Sequence, residues 1–147
     1  MRKINMGLVI LGGLVAGLLI NVVEYVMNMY VLADVSRHMM GELGLPAEPS
    51  GAVIVGYLVL GFLLGLLLAW TYAAIRPRFG AGPRTAVAAG FAVWVGAVLI
   101  PGLSYHLMGL YSLHLVAIGW TYGLVELVLA ALIAGAMYKE GGEVQAA

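Results

Sequence analysis

From Gly51 to Ile75 the chain carries no charged side chain. At 1.5 Å rise per residue this run exceeds the roughly 20 residues that cross the hydrocarbon of a bilayer. A stretch of that kind has one way to fold there, as a helix, because hydrocarbon offers the backbone no hydrogen-bond partners. Three further stretches have the same character: 4–33, 85–107 and 112–138. The first and last of these hold one acidic residue each, Glu24 and Glu126, and no Lys or Arg. The fold class that follows is all-α: a membrane four-helix bundle, formed as one transmembrane domain over 1–147.

Composition agrees. Hydrophobic residues make up 63% and charged residues 10% of the chain, against about 45–50% and about 25% in soluble domains. Mean hydropathy is +1.04. The formal net charge is zero, and neither a glycine-rich phosphate loop nor a basic, aromatic-interleaved patch occurs, so nucleic acid is not an expected partner. The absence of cysteine removes disulfides, thiolate metal sites and thiol redox chemistry. Arg2 and Lys3 ahead of an apolar run resemble a secretory signal, with Val31-Leu32-Ala33 as a cleavage-like site. The run is about twice the usual 7–15-residue signal core, and we read it as a retained span.

Between the first two spans, residues 34–50 form a polar loop. Val35, Met39, Met40 and Leu43 recur there at helical spacing, which predicts a short interfacial helix capped by Asp34 or Ser36 and ended by Gly44. Arg76 to Arg84 reads as a compact basic turn. Pro101 leaves the carbonyl of Ala97 without its usual donor and predicts a kink in the third span. The tail from Glu140 to Ala147 is expected to fray. Four spans place Arg2, Lys3, Arg76, Arg78, Arg84 and Lys139 on one side and only Arg37 on the other. By the positive-inside rule both termini face the cytoplasm.

Polar and small residues in the spans are patterned. Gly13, Gly17, Asn21, Glu24 and Asn28 lie on one helical face, as do Gly119, Gly123, Glu126, Ala130 and Ala134. Gly61 and Gly65 form a GxxxG step in the second span. Small residues let helix backbones approach closely in a membrane, so Gly13, Gly17, Gly61, Gly65, Gly119 and Gly123 are the expected packing positions. The economical arrangement packs span one against span four, with Gly13 and Gly17 on Ala130 and Ala134.

Helix rise puts Glu24 roughly 8 Å outward of the first span's midpoint and Glu126 about 2 Å from that of the fourth. Antiparallel packing then sets Glu24 level with Thr121 and Tyr122, and Glu126 level with Asn21. Asn28 and His106 share a level nearer the outer surface. A carboxylate in hydrocarbon with no cationic partner needs a proton, a hydrated cavity or a bound cation. Glu24, Glu126, Asn21, Asn28, Tyr122 and His106 are therefore the candidate polar core or proton and cation site. The bland alternative is interhelical hydrogen-bond glue, worth about 0.6 kcal/mol per bond.

His38, Met39, Met40, His106, Met108 and His114 gather on the outer side. Imidazole with thioether is a donor set that suits copper, but no ligand spacing accompanies it, and we assign no metal and no cofactor. Ser36, Ser50, Ser104 and Ser112 sit in no hydrolase motif, so an enzyme is not expected.

The segments Asn21-Val-Val-Glu24, Ala69-Trp-Thr-Tyr-Ala-Ala-Ile-Arg-Pro77, Gly123-Leu-Val-Glu126 and Tyr138-Lys-Glu140 resemble those of uncharacterised small bacterial four-helix integral membrane proteins. The resemblance spans nearly the whole chain through short apolar motifs. It implies fold and inner-membrane location, and brings no activity. Small multidrug transporters share four spans and a glutamate in the first, but their pattern is not present beyond Glu24. Two functions stand open. One is a structural or interaction bundle that forms a homo-oligomer or joins a larger membrane complex. The other is a small proton- or cation-linked permease using Glu24 and Glu126.

Overall fold

The computed structural model describes residues 4–46 and 48–140. Arg2, Lys3 and the tail beyond Glu140 lie outside them, as do the expectations that rest on those residues. Among the described residues every regular element is helical: α1 (Met6–Val26) continued by a π turn (Met27–Val31), α2 (Ala33–Glu42), α3 (Gly51–Phe79), α4 (Pro83–Trp94), a second π turn (Val95–Leu99), α5 (Ile100–Leu107) and α6 (Leu113–Met137). Four of these stretches are long and apolar enough to cross a membrane: Met6–Val31, Gly51–Phe79, Pro83–Leu107 and Leu113–Met137.

Local chemistry sets the ends. Asn5, Ser50 and Ser112 each accept a backbone N–H in the first turn of α1, α3 and α6, from Leu8, Val53 and Leu115, the usual work of an N-cap. The short α2 departs from expectation here. It starts after Leu32 with no side-chain cap, and Asp34 instead pairs with Arg37 at 2.8 Å. Gly44, at φ 66°, does lie just past its end. The second π turn falls immediately before Pro101. A wider turn there accommodates a ring that cannot donate to the ladder.

The basic stretch is more helical than its sequence suggests. α3 runs through Arg76-Pro77-Arg78 and stops at Gly80, so only residues 80–82 form the turn. Gly80 and Gly82 take φ of 87° and 128°, values open to glycine. The hydroxyl of Tyr72 accepts the Gly82 N–H at 3.2 Å. Arg76 does not face solvent: its guanidinium lies 5.4 Å from the Tyr138 ring centroid and 3.7 Å from Glu140. Tyr138 meets Tyr72 edge-on and accepts the Asn5 N–H at 3.3 Å. This knot joins the start of α1, the end of α3 and the chain after α6.

Spans consecutive in the chain run antiparallel. α1 lies against α3 and α6, α4 lies against α3 and α6, and α3 and α6, which run parallel, also touch. The core is concentrated toward the Gly80–Gly82 end, where Ala69, Ala73, Ala86, Ala89, Ala130, Ala131 and Ala134 are buried. Alanine in register lets dispersion contacts between backbones replace the hydrophobic drive that lipid cannot provide. At the α2 end the bundle spreads, and every residue from Gly51 to Leu60 is exposed.

The small-residue stripe of α1 serves a different partner from the one expected. A Cβ on Gly13 would stand 2.7 Å from the Cα of Leu66, and one on Gly17 would stand 2.8 Å from that of Phe62. A Cβ on Gly65 would collide with the backbone of Gly13 and Gly17. The two glycine pairs thus mesh α1 with α3. It is Gly12 that faces Ala134 of α6, where a Cβ would stand 3.3 Å from the Ala134 carbonyl oxygen. A Cβ on Gly123 would stand 3.2 Å from Val98, whereas one on Gly119 would meet nothing within 4 Å.

Candidate functional site

Spreading of the bundle opens a groove of about 610 Å³ beside α6, with Val23 of α1 on its other wall. Its floor is apolar, through Ile118, Val125 and Leu129. Its polar members all come from α6: His114, Thr121, Tyr122 and Glu126. Tyr122 and Glu126 are four residues apart, hence one above the other on the same face.

Glu24 is held by donors on both carboxyl oxygens. The Tyr122 hydroxyl donates to Oε1 across the α1–α6 interface at 3.4 Å, and Asn28 Nδ2 donates to Oε2 at 2.9 Å. Asn28 Nδ2 also reaches the main-chain carbonyl of Glu24 at 2.9 Å. The side chain therefore caps the ladder where α1 loosens into its π turn, a kind of turn found often at functional sites. An ionised carboxyl is an acceptor only, and one donor per oxygen matches it.

Glu126 has the opposite surroundings. It is 4% exposed, and its Oε1 has no hydrogen-bond partner among the described residues. It lies within electrostatic range of Glu24 but is not hydrogen-bonded to it. A buried carboxyl oxygen left without a donor costs about 1–3 kcal/mol, more when charged. The pair is thus asymmetric: both oxygens of Glu24 have donors, and Oε1 of Glu126 has none among the described residues.

Not all predicted members converge here. Asn21 was expected beside Glu126. It instead donates to the carbonyls of Gly17 at 2.9 Å and Leu58 at 3.2 Å, on the α3 side of α1. The reason is the glycine mesh, which turns that face of α1 to Gly61. His106 makes a 3.0 Å hydrogen bond with the carbonyl of Tyr111 within its own turn. Among the described residues no three His, Asp or Glu side chains come together as a metal site would require. His38 lies 3.3 Å from Glu42 on α2, and His114 stands apart on the groove.

Two features had little signal in the sequence. Trp94 Nε1 donates to the Trp120 carbonyl at 3.0 Å and ties α4 to α6 behind the groove. The Trp120 indole in turn lies over Gly102, where a Cβ would come within 2.7 Å of its Nε1. Pro101-Gly102 was the one local hint of a close approach there. Comparison with protein-family models, with curated proteins and with solved structures yields no match.

Proposed function

We propose that the chain is a multi-pass protein of the bacterial cytoplasmic membrane, with both termini inside, that takes up a proton or small cation at Glu126 from the α1–α6 groove. Glu24 and Tyr122 are the neighbouring relay. The reading is that of a small proton- or cation-linked permease, and four helices enclosing so little volume favour a homo-oligomer. The observation that carries it is the buried, unpartnered Oε1 of Glu126 at the wall of a groove. Ionisable groups in membrane spans are costly and mark ion or proton pathways by default.

A second reading is a structural or interaction bundle that accompanies a larger membrane complex. It is favoured by the exposed start of α3, Gly51 to Leu60, a helix face with room for another chain.

The deciding experiment reconstitutes the protein in liposomes loaded with a pH-sensitive dye and imposes a potassium diffusion potential. Wild type should acidify the lumen faster than empty vesicles, Glu126→Gln should abolish the difference, and Glu24→Gln should slow it. Equal flux in wild type and Glu126→Gln removes the permease reading and leaves the structural one.

A further inference from the structure

The face between α3 and the third span lies away from both glutamates. There Leu67, Thr71, Ala92, Val93, Gly96 and Ala97 line a groove of about 360 Å³. Small side chains make it: a Cβ on Gly96 would meet nothing within 4 Å. The one hydroxyl on the groove has its proton engaged, since Thr71 Oγ1 donates to the carbonyl of Leu67 at 2.7 Å.

Both walls lead to an exposed cation. On α4 the positions Arg84, Ala88 and Ala92, continued by Gly96 in the second π turn, follow one another at intervals of four, a single surface ridge, and all are exposed. On α3, Arg78 lies seven residues beyond Thr71 and eleven beyond Leu67, on nearly the same face. The way from Leu67 to Arg78 is roughly 16 Å, about half of the ~30 Å hydrocarbon thickness. That is the depth of one leaflet. No Asp or Glu occurs between Pro49 and Val125, so neither helix offers these arginines a carboxylate. Arg76, by contrast, is turned inward onto Tyr138 and Glu140.

We propose that this groove holds one acyl chain of an anionic phospholipid, whose phosphate is bound between Arg78 and Arg84. The apolar trough ends near the bilayer midplane, where a single chain ends. The two guanidiniums lie at the level of the headgroup and match it in charge, and guanidinium is the side chain best shaped for phosphate. The ligand is thus a lipid of the leaflet that carries the Gly80–Gly82 turn, and its seat is independent of the glutamate pair.

Native mass spectrometry of the protein released from nanodiscs of phosphatidylcholine with a minor share of phosphatidylglycerol tests this. Wild type should retain one phosphatidylglycerol in preference to phosphatidylcholine. Arg78→Gln/Arg84→Gln should lower that preference about thirtyfold, the factor that two charges at a membrane surface supply. Arg78→Lys/Arg84→Lys should keep most of it. Ala92→Phe, which fills the trough and leaves both arginines, should also release the lipid, and free glycerol phosphate should not compete. All of these positions are exposed, and an unchanged helical circular dichroism signal verifies each fold. Undiminished preference in the double glutamine variant overturns the headgroup assignment. Undiminished retention in Ala92→Phe, or displacement by glycerol phosphate alone, overturns the groove.

Discussion

Asn21 of α1 lies across Gly61 of α3, and its amide donates to the carbonyl of Leu58, one turn earlier on that helix, at 3.2 Å. A methyl group on Gly61 would enter the Asn21 amide. Gly61→Ala should therefore destabilise the bundle by about 1–3 kcal/mol, the usual cost of overpacking. In the double variant Asn21→Ala/Gly61→Ala the methyl has room, and stability should partly recover. A thermal-unfolding cycle in detergent measures the coupling; strictly additive losses would mean that the two residues do not touch.

Gly65 is the tighter member of the pair. Its missing Cβ is replaced by the backbone of Gly13 and Gly17, atoms that cannot rotate aside. Gly65→Leu should separate α1 from α3 and lower the melting temperature more than Gly119→Leu, because a Cβ on Gly119 would meet nothing within 4 Å. Equal melting temperatures would contradict the meshing of α1 with α3.

Tyr122→Phe removes one hydrogen bond to Glu24 and leaves the ring in place. As glue alone that bond is worth about 0.6 kcal/mol, with a ceiling near 1.7 kcal/mol. A proton relay would show differently: flux in liposomes should fall at least tenfold while stability changes by no more than that ceiling. If flux and stability both stay at wild-type levels, Tyr122 has no part in the relay.

The chain has no cysteine, so each introduced thiol is the sole labelling site. With the proposed topology, Ser36→Cys on α2 should react with a membrane-impermeant maleimide on spheroplasts. Ala81→Cys, in the turn after α3, should react only after permeabilisation. The reverse pattern would invert the orientation and place the Arg78–Arg84 pair in the outer leaflet.

Much of the architecture was legible in the residues. The stretches 51–75 and 85–107 hold no charge, and their helices begin at Gly51 and Pro83 and end at Phe79 and Leu107. The overrun past Ile75 was hidden because Arg76, Pro77 and Arg78 look like a stop. The Arg76 charge is accommodated by Tyr138 and Glu140, and only the folded chain brings those residues to it.

Glu24 and Tyr122 come together across 98 residues of sequence, as expected from helix rise applied to two antiparallel spans. Hydropathy and a fixed 1.5 Å rise act locally, so the sequence by itself determines how many spans there are, where they lie and which residues share a level. It does not determine which faces meet. Among helices in lipid one glycine step fits another about equally well, so Gly13 and Gly17 could be matched to Ala130 and Ala134 on paper. The tertiary structure set them against Phe62, Gly65 and Leu66 of α3, because glycine at 13, 17 and 65 permits that separation. That choice rotated Asn21 away from the groove and left Glu126 with an oxygen that nothing described in the fold satisfies.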